Sequence, residues 1–573
     1  MRHLIFLLSG GLLAACVAAY ALVDYETVAV WYESLGPLYR ADTYRRDFFT
    51  PAVKRAGLLY GLLGIVAAVA AVRLAAALPT DDYPGGSSNG CGGARSRAAR
   101  VLGADDAPAA VVLAAVLIAA WAYGQSGLAP AYDEVLSAHR IAGTHPLQVW
   151  SYYVLPNNHV LYNLAAGLVQ EVFPSVDVVR VGRFLSLAAY LTLALAAYGL
   201  AELRELVRPP WVRAGLVLLL ALAFPVYAFA TQARGYLWLL LFSYAALVSA
   251  YRLGRSGVRR YHRFALWSML AFATVPVYLY VFGGLCIEWS YRQWRRRTLD
   301  RYFLAAVGLT GCLTYLFYLP TLLFSGLGAL TANPYVARPD LTIIGYLNQH
   351  AGMWVYYTEY AFVGVLDGWR YACAVAFFAP AILVLGFARA PFLRYLGRVH
   401  LLLYGFTLGL SILMRAVPSD RMLLLHGSLA TILVLLPVAH YGVGGARRLG
   451  RRYRRPAVAV AALATAAIAL GAIVTSRPAF DVGLYRVSVG RVAAELKTLM
   501  TSLPPGADVT FSPEAFYPAY LHDVRGSGER TKPTAQRPKY YVWYETDTQT
   551  PPLPGAELIA SRIGHHVYRY RDR

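Results

Sequence analysis

Two adjacent acidic residues stand in a polar stretch that directly follows a long apolar run. The run covers residues 108–124, and Asp133 and Glu134 come shortly after its end. Carboxylates near a membrane surface are costly unless they are exposed to water or used in function. One of the pair could therefore act as a general base on a hydroxyl group or as a ligand for a cation. The alternative is structural, since acidic residues are also favoured in the first turn of a helix.

Residues with hydrogen-bonding side chains continue through the same stretch. The candidates for substrate binding are His139, Arg140, His145, Tyr153, Asn157, Asn158, His159 and Tyr162. Such side chains suit the hydroxyl groups of a sugar and the oxygens of a phosphate, although Pro156-Asn157-Asn158 also predicts a turn. The three histidines could form a metal site, but they lack the compact spacing that is typical of one.

Two later polar segments also lie between apolar runs. The first contains Gln232, Arg234 and Tyr236, and the second contains Arg421. Arginine is a natural bidentate partner for a phosphate group, whereas its structural alternative is a helix-end residue that reaches towards the interface. If these segments share a membrane face with Asp133, a carboxylate base and phosphate-binding groups meet at one site.

The elements that must position these residues are apolar helices. Of the 573 residues, 58% are hydrophobic and 15% are charged, and the mean hydropathy is +0.46. Since a spanning helix needs about 20 apolar residues, the sequence predicts an α-helical polytopic membrane protein with about thirteen transmembrane helices. The candidate spans are 4–23, 56–78, 108–124, 183–201, 212–230, 236–251, 264–276, 277–290, 303–325, 369–388, 399–416, 421–441 and 457–474.

The net charge of +22 comes from short basic clusters between the apolar runs. Nucleic-acid binding would instead place basic residues on one face with interleaved aromatic residues, so that class is disfavoured. With the N-terminus in the cytoplasm, the basic clusters fall inside and the loops 125–182 and 326–368 fall outside. Two features of the sequence agree less well with this topology. The outer loop 24–55 is unusually basic, and segment 264–290 must cross twice, through helices broken around Pro276 and Gly283-Gly284.

Composition also divides the chain into domains. Residues 1–78 predict an N-terminal transmembrane hairpin, 79–107 a Gly/Ser-rich cytoplasmic linker, and 108–475 the main transmembrane domain. Residues 480–573 are polar and predict a small extracytoplasmic α/β domain. Within it, periodicity favours a helix at 486–503 and strands at 508–512, 539–544 and 565–571.

Cys16 follows Leu13-Ala14-Ala15, a sequence that resembles a lipoprotein processing box. Because the apolar run continues through Val23, an uncleaved first helix is favoured over lipidation of Cys16. The five cysteines lack metal-ligand spacing and predict no disulfide framework.

At these residues the sequence resembles the GT-C membrane glycosyltransferases, in the group related to protein O-mannosyltransferases and the lipid A aminoarabinose transferase (glycosyltransferase family 39-like). Tyr132-Asp133-Glu134 matches the acidic motif of the first outer loop, and Asn157 to Tyr162 resembles its Asn-His-containing continuation. Arg183 looks like the arginine that opens the next helix. Gln232 to Tyr236 resembles an Ala-Arg-Pro-Tyr segment, with Gly235 in place of proline.

Two further positions extend this comparison. Arg421 resembles an arginine of the late Arg-Tyr-Leu segment, with Met422 in place of tyrosine. In the broken helix pair, Thr274-Val275-Pro276 departs from the Thr-His or Thr-Lys of many members. That departure removes one phosphate contact from the expected set.

The resemblance implies an inverting transfer of a sugar from a polyprenyl-monophosphate donor to a hydroxyl acceptor in a cell-envelope glycan, lipid or protein. Asp133 would take the proton from the acceptor, and Glu134 would orient the acceptor or share that role. Arg234, together with Arg140 or Arg183, would stabilise the departing lipid phosphate. The enzyme would lie in the plasma (inner) membrane with its active site on the extracytoplasmic face. A divalent metal is compatible with this pattern but not indicated by it.

Two other classes of protein remain open at this point. A polytopic transporter or lipid flippase predicts broken helices at the bilayer midplane and an internal repeat, and no repeat is visible in the sequence. A non-catalytic membrane scaffold predicts that Asp133 and Arg234 are dispensable.

Overall fold

The structure is a computed structural model that describes most of the main membrane domain and parts of both ends of the chain. The described residues are 11, 14–36, 38, 44–79, 106–126, 128–155, 158–253, 261–332, 341–350, 370–416, 423–448, 486–504, 507–511, 517–521, 539–544 and 556–569.

The described chain is mainly helical. Its first helices are α1 (Ala14–Leu22), α2 (Tyr25–Ser34), α3 (Pro51–Ala77), α4 (Ala107–Gln125), α5 (Tyr132–Val135), α6 (Pro146–Ser151) and α7 (Val160–Val172). The central helices are α8 (Val178–Gly199), α9 (Ala201–Leu206), α10 (Pro210–Leu222), α11 (Phe224–Ala230), α12 (Tyr236–Arg252), α13 (Tyr261–Thr274) and α14 (Leu279–Arg296). The later helices are α15 (Arg301–Thr331), α16 (343–350), α17 (Arg370–Phe387), α18 (Pro391–Met414), α19 (Leu424–Arg448), α20 (Arg486–Thr501) and α21 (517–521).

The helices include several that can cross a membrane. Within the described ranges, 6 helices are long and apolar enough, or up to 7 if the pair α1 and α2, bent by 114°, forms one span. Span 457–474 and part of span 4–23 lie outside the described residues. The other predicted spans fall on described helices, although span 212–230 is divided between α10 and α11 at Ala223. The chain is therefore an integral membrane protein.

The predicted outer loop 125–182 is largely helical. It contains α5, α6, α7 and a π-helical segment, Leu136–Ala142. Its apolar side chains are buried on one face, which stabilises helices in a segment whose polarity favours a loop. Helix α8 also begins earlier than predicted, at Val178, because the Asp177 carboxylate accepts a hydrogen bond from the Val179 N–H at 3.3 Å.

The break predicted in segment 264–290 is present at Pro276. Helix α13 ends at Thr274, Val275 is extended, and a 3-10 turn at Pro276–Tyr278 leads into α14. The predicted irregularity at Gly283-Gly284 is wrong, because both glycines are helical. A Cβ atom at either position would overlap Phe406 or Leu403 of α18, so these glycines permit close helix packing.

The C-terminal residues form a small α/β unit, as predicted. Strands β1 (Asp508–Phe511), β2 (Lys539–Tyr544), β3 (Glu557–Arg562) and β4 (His565–Arg569) form one sheet in the order β1-β2-β4-β3. Strand β1 is parallel to β2, and the other pairs are antiparallel. Strand β3 was not predicted, because its sequence Glu-Leu-Ile-Ala-Ser-Arg does not alternate cleanly between apolar and polar residues.

The N-terminal helices pack directly on the main membrane domain. The hydroxyl groups of Tyr20 and Tyr44 donate to the carbonyls of Leu323 and Phe324 in α15, at 2.7 and 2.6 Å. The ring of Tyr32 stacks on Phe324 at 4.6 Å. Helix α15, in turn, contacts α6, so the N-terminal helices support the segment that follows Asp133.

An apolar cavity of about 320 Å³ lies deeper in the bundle, between α8, α10, α12, α13, α18 and α19. Its walls are mainly leucine, alanine and valine side chains. The cavity is not fully enclosed, so its walls are accessible from the surface of the helix bundle.

Candidate functional site

An ion pair joins two of the polar segments that the sequence analysis selected. Arg234 Nη1 lies 3.0 Å from Asp133 Oδ2. Asp133 is in the first turn of α5, and Arg234 is in the turn between α11 and α12. The Arg234 side chain is 1% exposed, whereas that of Asp133 is 34% exposed. The pair therefore presents a carboxylate to solvent in front of a buried guanidinium group.

Hydrogen bonds from neighbouring helices hold the turn that carries Arg234. The Ser186 hydroxyl of α8 donates to the carbonyls of Gln232 and Arg234, at 2.6 and 3.2 Å. The backbone N–H of Ala233 donates to Glu134 Oε1 at 2.6 Å. Because both sides of the turn are fixed, the position of Arg234 is set by α5 and α8 together.

Glu134 is fully buried and accepts four hydrogen bonds. Oε1 receives the Ala233 N–H at 2.6 Å and Arg183 Nε at 3.0 Å. Oε2 receives the Ala131 N–H at 2.7 Å and Arg183 Nη2 at 3.0 Å. Four donors use the accepting capacity of a carboxylate. Its predicted roles are to orient the acceptor or to share the role of the base, and in this geometry both of its carboxylate oxygens are engaged with protein donors.

Arg183 lies inside α8 rather than before it, and its donors are directed at the protein. Besides Glu134, it donates to Gln125 Oε1 at 2.8 Å and to the carbonyls of Leu128 and Ala129 at 3.1 and 3.3 Å. The side chain is only 10% exposed. Arg183 therefore ties the end of α4 to α5.

His159 and Tyr236 complete the surroundings of Arg234. Arg234 Nη2 donates to the Tyr236 hydroxyl at 3.1 Å and lies 3.4 Å from His159 Nε2. The rings of His159 and Tyr236 pack edge to face at 4.6 Å. These three predicted substrate-binding residues thus form one buried cluster behind Asp133.

Gly235 permits this cluster to form. Its φ of −73° would suit proline, but a Cβ at this position would lie 2.9 Å from atoms of the His159 side chain. The glycine that stands in place of the proline of the resembled segment therefore leaves room for the His159 side chain.

We expect Gly235→Ala to displace His159 and to lower both thermal stability and any activity that depends on Arg234. A core overpacking of this kind costs about 1–3 kcal/mol, which thermal unfolding in detergent would detect. The matched control is Gly311→Ala in α15, where a Cβ meets nothing within 4 Å. An unchanged Gly235→Ala variant would show that His159 is not held by this contact.

Other predicted residues hold the local structure. The Asn158 amide donates to the carbonyls of Val149 and Tyr152, at 3.2 and 3.1 Å. The Tyr162 hydroxyl donates to the Gly182 carbonyl at 2.5 Å. Both side chains are buried, so they connect α6, α7 and α8 in this state and do not face solvent.

The remaining predicted residues differ in their positions. His139 and Arg140 are half-buried, and His145 is exposed, with its Nδ1 accepting from the Leu147 N–H at 3.2 Å. Tyr153 and Gln232 are buried. Asn157 and Arg421 lie outside the described residues. In the part of the chain that the structure describes, no three His, Cys, Asp or Glu side chains are grouped so that they could hold a metal ion.

Two tyrosines of the C-terminal unit were missed by sequence reasoning. The Tyr517 hydroxyl donates to the Pro130 carbonyl at 2.8 Å, and its ring stacks on Tyr132 at 6.1 Å. The Tyr520 hydroxyl donates to Asp177 Oδ2 at 3.1 Å. Burial raises the pKa of both phenols, so they remain protonated donors. The C-terminal unit is thereby docked on the residues that flank Asp133.

Comparison with known proteins identifies similar solved structures. No protein-family model and no curated protein matches the chain. The crystal structure of ArnT from Cupriavidus metallidurans bound to undecaprenyl phosphate is similar, with 13% identity and a TM-score of 0.48, over 80% of this chain and 97% of that chain. ArnT in the apo state gives 11% identity and a TM-score of 0.47 over the same shares of the two chains.

Proposed function

We propose that this membrane protein is an inverting glycosyltransferase that moves a sugar from a polyprenyl-monophosphate donor to a hydroxyl group on the extracytoplasmic side of the plasma (inner) membrane. The observation that carries the proposal is the ion pair of half-exposed Asp133 with buried Arg234. It combines a carboxylate that can accept a proton with a fixed cation that can bind a phosphate. The sequence resemblance to GT-C glycosyltransferases implies the same donor class.

The reaction needs both groups at the same time. The acceptor hydroxyl oxygen attacks the anomeric carbon while Asp133 takes its proton, a contribution that is typically about 10²–10⁴-fold in rate. The bond from the anomeric carbon to the phosphate oxygen breaks, and its electron pair leaves with the polyprenyl phosphate. Arg234 stabilises the charge that develops on this phosphate, which requires a donor fixed before the reaction.

Glu134 and Arg183 act as positioning residues in this proposal. They connect the end of α4, the start of α5 and the Ala233 N–H through buried hydrogen bonds. The separation of Asp133 from Arg234 therefore depends on groups that do not touch the substrate. Such support is what keeps a reacting pair within the narrow geometry that catalysis needs.

A binding measurement tests the phosphate role of Arg234. We expect Arg234→Gln to weaken binding of a polyprenyl monophosphate by about tenfold or more, since charged hydrogen bonds contribute about 1.5–3 kcal/mol each. Asp133→Asn should bind at least as tightly as wild type, because it removes a negative charge beside the phosphate. Microscale thermophoresis in lipid nanodiscs would give both values.

The matched control is Arg46→Gln, an arginine that is 70% exposed and paired with its neighbour Asp47. This variant should bind the lipid phosphate as wild type does. Equal binding by Arg234→Gln and wild type would remove Arg234 from the donor site.

A lipid flippase or transporter is the second candidate, and the broken helix pair at Pro276 favours it. Discontinuous helices frequently form the binding sites of transporters. A flippase moves a lipid-linked sugar without breaking its glycosidic bond to phosphate. Release of free polyprenyl phosphate therefore distinguishes the two functions.

A further inference from the structure

The apolar cavity of about 320 Å³ is separate from the Asp133 site. Its walls include Leu200, which follows the end of α8, Leu203 of α9, Leu247 of α12 and Leu436 of α19. Helix α12 begins beside Arg234 and ends at Arg252, which also lines the cavity. A 17-residue helix rises about 25 Å, so this end of the cavity is near the opposite membrane face.

The polar groups in the cavity walls already have partners. Tyr244 and Ser428 share a hydrogen bond of 3.0 Å, and the Ser428 hydroxyl also donates to the Leu424 carbonyl at 2.9 Å. Ser249 and Thr431 donate to backbone carbonyls of their own helices. Water is stable in a cavity only where it finds several polar partners. The walls therefore favour a hydrocarbon occupant.

One end of the cavity is cationic. Arg252 donates two hydrogen bonds of 2.7 Å to Glu202, so its charge is largely compensated. Arg263, also in the lining, is exposed, and no described carboxylate forms an ion pair with it. A hydrocarbon cavity with an arginine at its mouth is complementary to a lipid with an anionic headgroup. Basic pockets between helices on the cytoplasmic side bind such headgroups in other membrane proteins.

We propose that this cavity binds an anionic phospholipid from the leaflet opposite the Asp133 site, with an acyl chain between α8, α12 and α19 and the phosphate at Arg263. The occupant is a phospholipid rather than the tail of a polyprenyl phosphate bound at Arg234. A donor lipid has its phosphate at Arg234, and the arginines of the cavity lie at the other end of α12. The Arg263 charge would then face no lipid phosphate, whereas Arg252 is already paired with Glu202.

The test is native mass spectrometry of the whole protein released from mild detergent, followed by lipid extraction. Wild type should retain a bound phospholipid, and Ala245→Phe, which fills the cavity from α12, should lose it. Ala197→Phe fills the same cavity from α8 and should have the same effect, which guards against misfolding of one variant. The matched control is Ala119→Phe, at an exposed position of α4 outside the cavity.

The headgroup contact is tested with defined lipids. Arg263→Gln should lower the preference for phosphatidylglycerol over phosphatidylcholine by about fivefold, the effect of one arginine near an anionic surface. Arg296→Gln, an exposed arginine that does not line the cavity, should leave it unchanged. Retention of phospholipid by both filled variants would overturn the proposal. The proposal would also be overturned if polyprenyl phosphate were recovered from wild type but not from the filled variants.

Discussion

Asp133→Asn is expected to lower the rate of sugar transfer by about 10²–10⁴-fold, the usual contribution of a general base. The amide keeps the shape of the side chain and can still accept a hydrogen bond from Arg234, but it cannot take a proton. The change also removes the counter-charge of Arg234, whose side chain is 1% exposed, so a loss of stability is expected beside the loss of rate. Steady-state transfer kinetics and thermal unfolding would be measured on the same preparations.

The control for this substitution is Asp47→Asn. Asp47 is 38% exposed, similar to Asp133, and it is also paired with an arginine, Arg46, at 2.8 Å. An exposed pair of this kind contributes about 0–1 kcal/mol, so activity should not change. If Asp133→Asn transfers sugar at the rate of the control, Asp133 is not the base.

Glu134→Ala is expected to destabilise the protein by about 3–5 kcal/mol, because it leaves the buried Arg183 without its carboxylate. The same change removes the acceptors of the Ala131 and Ala233 N–H groups. Glu134→Gln should be milder, since the amide oxygen still accepts from some of these donors. Denaturant unfolding of the detergent-solubilised protein, monitored by tryptophan fluorescence, would give both differences.

Glu26→Ala is the control for this loss of a carboxylate. Glu26 is 69% exposed and pairs with Arg45 at 3.2 Å, so its removal should cost less than about 1 kcal/mol. The positioning role of Glu134 would be contradicted if Glu134→Gln unfolded like wild type while transfer was abolished. That combination would assign Glu134 to the reaction itself.

Hydropathy and proline chemistry account for the parts of the fold that could be predicted. The apolar runs identify the helices because burial in a bilayer depends on composition. The break before α14 was visible because Pro276 cannot donate the hydrogen bond that a continuous helix requires. The helices of 125–182 were missed because they are amphipathic, and they depend on packing partners from distant segments.

The different surroundings of Asp133 and Glu134 were not visible in the sequence. Adjacent residues on a helix point about 100° apart, so Glu134 is buried against Arg183 and the Ala233 N–H while Asp133 stays 34% exposed beside Arg234. Which of the two carboxylates is buried depends on where α5 begins and on the donors that Arg183 and Ala233 supply. These donors are not encoded near the pair, because Arg183 is 49 and Ala233 is 99 residues from Glu134.

The docking of Tyr517 and Tyr520 could not be predicted from the sequence either. Their partners, Pro130 and Asp177, are 387 and 343 residues away along the chain. A short aromatic segment in a polar domain is compatible with many packing arrangements, and only the tertiary structure selects one. By contrast, the sharing of one site by Asp133 and Arg234 followed from the predicted sidedness of their segments.

The most direct test of the proposed glycosyltransferase activity is a single-turnover assay with purified protein in lipid. Polyprenyl-monophosphate sugars, labelled in the sugar, would be mixed with an envelope extract as the acceptor source. We expect wild type to release polyprenyl phosphate and to form a labelled product with inverted anomeric configuration, and Asp133→Asn to do neither. An intact donor, carried across the membrane by both proteins without cleavage of its glycosidic bond, would contradict the account and identify a flippase.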